Sequence, residues 1–166
     1  MKELLVIRHA KSSWDHPELA DHDRPLNARG KAAAPRVAEE LIRIGAAPEA
    51  FISSTAVRAF ETAKVIARAF GGSEEEIVSV DELYGASARM ILNTVQQFDE
   101  AWNRVAIFGH NPGFHDFVDR LLKKESVDRF PTCAVAHLKL DSDFWGSVEE
   151  GSAELLHFIL PRELES

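Results

Sequence analysis

Three sets of ionisable residues in this chain follow directly on short apolar runs. Arg8 and His9 leave Leu4-Leu5-Val6-Ile7, Arg58 opens a helical stretch after Ala50-Phe51-Ile52-Ser53, and His110 leaves Val105-Ala106-Ile107-Phe108. Uninterrupted apolar runs of this length read as strands buried on both faces of a parallel sheet. In such sheets ligands gather beyond the carboxyl ends of the strands. If the three runs lie parallel, two guanidiniums and two imidazoles meet at one edge. Taken singly, Arg58 and His110 are ordinary helix and loop residues. Their shared placement behind a strand is what favours a joint site.

Two guanidiniums, one imidazole and helix N-terminal amides suit a tetrahedral dianion with several acceptor oxygens, and phosphate fits that description. The second imidazole adds reactivity. A neutral ring nitrogen of His9 is a competent nucleophile toward phosphorus, and nearby guanidinium charge disfavours its protonation. Arg8, Arg58 and His110 would then hold the equatorial oxygens during in-line transfer. A leaving alkoxide also needs a proton, and Glu82, just past the run Ile77-Val78-Ser79-Val80, stands at a suitable edge to donate it. Asp15, Asp21 and Asp23 in the first long loop are weaker candidates for that donor, and the reading as solvated surface carboxylates is favoured for them. Asp15-His16 and Asp21-His22-Asp23 match no recognised ligand spacing, so neither a metal nor a cofactor is expected. His137 and His157 fall on expected strands and read as packed or edge residues.

These residues need a scaffold, and the hydrophobic periodicity supplies one. After a loop from His9 to Asn27, Asn27 caps a helix to about Ile44, with Val37, Leu41 and Ile44 on one face and Gly45 as its stop. Pro35 inside that pattern predicts a kink or a late start. A second helix spans about Ala56 to Phe70, carrying Phe60, Ala63, Ala67 and Phe70, and Gly71-Gly72 ends it. Helices from Ser87 to about Phe98 and across Phe114, Phe117, Val118 and Leu121 follow. Runs near Ala134–Leu140 and Ala153–Leu160 predict an antiparallel strand pair. The alternation predicts an α/β three-layer sandwich: a mostly parallel central sheet with an antiparallel edge strand, and helices on both faces.

Bulk composition narrows the class. With 166 residues, 45% hydrophobic and 28% charged, residues 1–166 are expected to form a single domain with a substantial core. A net charge of −8 argues against a general nucleic-acid binder and against docking on anionic membranes. The lone Cys133 implies no internal disulfide and reads as a packed thiol. No apolar run is long enough to span a bilayer, and a cytoplasmic location is expected.

With those residues in place, the chain resembles the histidine phosphatase (phosphoglycerate-mutase-like) superfamily. Arg8-His9-Ala10 corresponds to its Arg-His-Gly, and Arg8 to Asp15 looks like the mutase-branch run Arg-His-Gly-Gln-Ser-Glu-Trp-Asn. Pro25-Leu26-Asn27 with Gly30 is similar to the family's helix entry. Ser54, Arg58-Ala59 and Thr62-Ala63 fit its Ser-x-x-x-Arg-Ala-x-x-Thr-Ala element, and Gly109-His110 its second histidine. The resemblance implies His9 as the phosphorylated nucleophile, with Arg8, Arg58 and His110 as the phosphate pocket. Ser12 joins them as a phosphate-binding candidate, and a carboxylate near Glu82 is the family's proton donor. Ala10 and Asp15 depart from the pattern.

The long insertion that covers the site in mutases is missing here, and an open pocket favours hydrolysis. The short length and Asp23-Arg24-Pro25-Leu26 look most like the SixA-type branch, which is similar to protein phosphohistidine phosphatases. A leaving imidazole needs less acid help than an alkoxide, which would make Glu82 dispensable. The expectation is a phosphatase working through phospho-His9, with a phosphorylated protein as substrate. A small phosphorylated metabolite, or a phosphate-binding module without turnover, are the alternatives.

Overall fold

The computed structural model describes residues 1–164. In chain order the elements are β1 (Glu3–Arg8), α1 (Ala28–Arg43), β2 (Ala50–Ser54), α2 (Val57–Ala69) and β3 (Ile77–Val80). They continue with α3 (Ala88–Val95), β4 (Arg104–Gly109), α4 (Gly113–Leu121), β5 (Val135–Leu140) and β6 (Ala153–Ile159). The strands form one sheet in the order β3-β2-β4-β1-β5-β6. β1, β2, β3 and β4 pair in parallel, whereas β5 is antiparallel to both β1 and β6. The reversed strand is therefore β5, one position in from the edge, and edge strand β6 runs with the other four.

The continuous apolar run of β1 follows from its central place. Leu4 and Val6 pack on one side with Ile91, Val95, Phe114 and Phe117 of α3 and α4. Leu5 and Ile7 pack on the other with Val37, Leu41, Ala63 and Ile66 of α1 and α2. A strand covered by helices on both faces has no position left for a polar side chain. The outcome is the three-layer α/β arrangement expected from the alternation of elements. No described helix is long and apolar enough to cross a membrane.

Local chemistry explains where the helices begin and end. The Asn27 side chain accepts the Gly30 amide at 2.9 Å, satisfying one of the unpaired donors of the first turn of α1. That helix then runs unbroken past Pro35, without the expected late start. Pro35 is exposed, and the residue four before it, Lys31, is exposed too, so the carbonyl left without an amide partner faces the solvent side. α3 ends at Val95, three residues short of Phe98, which still packs into the core from the following turn.

Two backbone contacts tie the scaffold to the loop after β1. The amide of Cys133 donates to the carbonyls of Arg8 and His9, both at 3.0 Å, from a left-handed conformation with φ of 61°. Its thiol is buried, and that burial pushes its pKa up to about 12. On the other side, Gly30 in the first turn of α1 rests against the backbone of Lys11. A Cβ there would lie 2.2 Å from the Lys11 carbonyl oxygen. Since backbone cannot step aside as a flexible side chain can, Gly30→Ala is expected to lower the urea-unfolding free energy by about 1–3 kcal/mol. Gly146→Ala, where an added Cβ meets nothing closer than 3.7 Å, should stay within about 0.5 kcal/mol of the parent.

Candidate active site

The parallel pairing of β1 and β4 sets Arg8 beside Gly109, and β2 delivers Ser54 to the same edge. His9 and His110 therefore leave adjacent strands side by side. The His9 amide donates to the Gly109 carbonyl at 3.0 Å, and the two imidazole centroids lie 5.2 Å apart. Arg58 enters from the first turn of α2. These side chains surround a cavity of about 280 Å³, together with Ser12, Arg24 and the rim residues Lys11 and Trp14.

His9 is 6% exposed, and its Nδ1 lies 2.7 Å from the Ala10 carbonyl oxygen. A carbonyl only accepts, so Nδ1 carries the proton and Nε2 keeps its lone pair. The Ala10 peptide is held in turn: its amide donates to Thr62 Oγ1 at 2.9 Å, and the Thr62 hydroxyl donates to the Arg58 carbonyl at 2.8 Å. Among the described non-glycine residues only Cys133 has a positive φ, so alanine at position 10 stands where no glycine conformation is required. Burial, then the neighbouring charges of His110, Arg58 and Arg8, pushes the His9 pKa down to about 3. Burial and Arg58 likewise lower that of His110 to about 4.

His110 Nε2 pairs with Ser54 Oγ at 2.8 Å. Its Nδ1 and the Nε of Arg8 are the two buried side-chain nitrogens that have no hydrogen-bond partner among the described residues. Buried polar atoms are nearly always paired, so two such nitrogens in one cluster mark a place built for a hydrogen-bonding partner from outside the chain.

A carboxylate organises the guanidiniums. Arg58 Nη1 and Nη2 donate to the Asp21 carbonyl and to Asp21 Oδ2 at 2.7 and 3.0 Å. Arg24 Nη1 donates to Oδ1 at 2.8 Å, and the Tyr84 hydroxyl to Oδ2 at 2.6 Å. The Tyr84 hydrogen bond, followed by those of Arg24 and Arg58, holds the Asp21 carboxyl well below the usual carboxylate range. Arg24 also donates to Ser12 Oγ and to the Ser13 carbonyl, and lies over the Trp14 ring at 3.4 Å.

The structure thus gathers Arg8, His9, Ser12, Arg58 and His110 around one cavity, and Glu82 outside it. Glu82 sits at the same sheet edge but is exposed, and it lines a neighbouring groove with Val78, Val80 and Met90. The reason is the tight turn Asp81–Leu83: burying Leu83 at 1% exposure rotates Glu82 outward. Tyr84, two residues later, is what reaches the site. From sequence alone Tyr84 has no role, Asp21 reads as a surface carboxylate, and Arg24 figures only within the SixA-like run Asp23-Arg24-Pro25-Leu26. The three-residue spacing of Asp21 and Arg24 is common on any surface. Asp15 and Asp23 are exposed, as is the ordinary lot of loop aspartates. Among the described residues no group of three or more His, Cys, Asp or Glu side chains is placed to hold a metal ion.

The chain is similar to known proteins. Residues 4–123 match the profile of the histidine phosphatase superfamily (branch 1). An uncharacterized chloroplastic protein of Arabidopsis thaliana is 32% identical, over 87% of this chain and 69% of its own. An uncharacterized protein of Mycobacterium tuberculosis is 29% identical over 94% of this chain and all of its own length. Among solved structures, SixA from Agrobacterium tumefaciens, presented as a candidate phosphohistidine phosphatase, superposes with a TM-score of 0.82 at 28% identity. That match covers 96% of this chain and 98% of the other. The protein histidine phosphatase SixA complexed with tungstate shares the fold, with a TM-score of 0.83 at 21% identity over 98% and 99% of the two chains. The chain belongs to the histidine phosphatase superfamily, branch 1.

Proposed function

We propose that this protein is a phosphatase that passes a phosphoryl group through His9 Nε2, and that its donor is phosphohistidine in a protein. The observation that carries the reading is the bond from His9 Nδ1 to the Ala10 carbonyl, which leaves a fixed, unprotonated nitrogen facing the guanidiniums. In the first step the Nε2 lone pair forms a bond to phosphorus as the substrate P–N bond breaks. The electron pair of that bond stays on the departing imidazole, which leaves neutral when its other ring nitrogen carries a proton. The phosphorylated His9 ring is then cationic, and the Ala10 carbonyl accepts its Nδ1–H. In the second step water attacks phosphorus, the P–Nε2 pair returns to His9, and phosphate departs with the proton that water sheds. Arg8, Arg58 and His110, with Ser12 beside them, hold the phosphoryl oxygens throughout.

The acid inventory supports a phosphoramidate over an ester. No carboxyl side chain is among those lining the cavity. Asp21, which braces it from behind, is held ionised, and Glu82 faces another groove. An alkoxide leaving group would be poorly served here, whereas an imidazole is not. Small phosphomonoesters remain the second reading, because a cavity open at its rim admits them as well.

His9→Ala is expected to abolish turnover and to prevent an acid-labile phosphoryl label from appearing on the protein. Arg58→Ala should cost about 10²–10³-fold in kcat. Full activity in His9→Ala would remove the nucleophile assignment. Glu82→Gln is expected to leave hydrolysis of a phosphohistidine peptide nearly unchanged, and a loss of about 10²-fold or more would restore Glu82 as proton donor.

The two imidazoles also make a pH prediction. Their native pKa values, about 3 and about 4, lie below the ordinary 6.5, so the unfolded chain binds protons that the native state refuses. Stability is therefore fully present above pH 6.5 and declines as pH falls through that value. Near pH 5 the loss should reach about 2 kcal/mol for each ring. Denaturant unfolding near pH 7 and pH 5, set against a His9→Asn/His110→Asn double variant, measures this, and the variant should lose markedly less.

A further inference from the structure

A second groove, of about 550 Å³, adjoins the phosphoryl cavity and shares Lys11 and Thr132 with it. Lys11, Arg29, Arg36, Arg129 and Arg162 line it, and no carboxylate does among the described residues. These cations come from the loop after β1, from α1, from the approach to β5 and from the C-terminal turn. None of the five forms an ion pair or a side-chain hydrogen bond among the described residues. Most other arginines do: Arg24 and Arg58 are tied to Asp21, Arg43 to Glu40, Arg104 to Glu3 and Arg120 to Asp116. In a chain of net charge −8, five cations on one concave face, without an ion-pair partner among the described residues, favour an anionic occupant.

Their spacing says which kind. Arg29 and Arg36 stand seven residues apart on α1, about 10 Å along the axis at 1.5 Å per residue. Ala32 and Ala33 lie between them, leaving a low apolar floor that Pro131 and Pro161 continue. A single compact anion, such as a second phosphate, would be met by cations converging within hydrogen-bond reach. Cations strung along a floor suit carboxylates spaced along an extended chain, about 7 Å apart on one side of it. We propose that this groove receives an acidic segment of the phosphoprotein substrate, next to the phosphohistidine held at His9. The inference rests on the phosphoprotein reading given above.

Two phosphohistidine peptides of equal length test it, one with Asp and Glu flanking the phosphohistidine and one with Asn and Gln in their place. Wild-type protein should process the acidic peptide with a kcat/KM roughly tenfold or more higher, by an advantage that shrinks with added salt. Arg29→Glu/Arg36→Glu, in the groove but not among the residues lining the phosphoryl cavity, should abolish or invert that preference while turnover of p-nitrophenyl phosphate is unchanged. Equal rates on the two peptides, or a preference that survives the double variant, overturn the proposal. So does a small bisphosphate that is hydrolysed with the same charge-dependent advantage. Fluorescence anisotropy of the labelled, unphosphorylated acidic peptide provides a readout independent of turnover. If no phosphoryl compound is hydrolysed yet this peptide binds wild type and not the double variant, the groove stands and the catalytic reading falls. If phosphohistidine is hydrolysed and the peptide binds both alike, the reverse holds.

Discussion

Three guanidiniums and two imidazoles crowd around one cavity of about 280 Å³, and like charges at such range repel one another strongly in a partly buried site. Asp21 offsets this. Its two oxygens and its carbonyl engage Arg24 and Arg58, and Tyr84 completes its hydrogen bonding. The arrangement leaves Arg8, with its unpaired Nε, and His110, with its unpaired Nδ1, as the groups free to meet an incoming anion. Burial first, and the positive field of the guanidiniums second, keep both imidazoles unprotonated.

That cluster is only as well placed as the backbone beneath it. β1 and β4 end in register, and the Gly109 carbonyl accepts the His9 amide. Cys133 caps the two carbonyls before Ala10, while Gly30 supports Lys11 from the side of α1. The loop that carries His9 is therefore held from three elements at once. A packed sheet gives the His9 ring the rigid support that the proposed phosphoryl transfer would require.

Charge is distributed unevenly over this molecule. Its overall acidity repels polyanions in general, while the adjoining groove presents cations that have no ion-pair partner among the described residues. Selectivity in such a case comes from where the local field reverses.

Much of this was legible in the chain itself. The run Leu4 to Ile7 reads as a strand covered on both sides, and the placement of Arg8, His9, Arg58 and His110 behind such runs follows from the order of residues. Helix limits at Asn27 and Gly45 were readable because capping is local chemistry. What tertiary structure decided was every feature that depends on orientation or on long-range contact. Asp21 and Tyr84 meet across 63 residues, and neither carries a mark that sets it apart from a surface side chain. Glu82 lies at the expected edge yet faces away, because burying Leu83 was worth more than directing a carboxylate inward. Pro35 was absorbed into α1 because its face meets water. Residue type and spacing report what a side chain can do, whereas the direction it points is fixed by which of its neighbours the core claims.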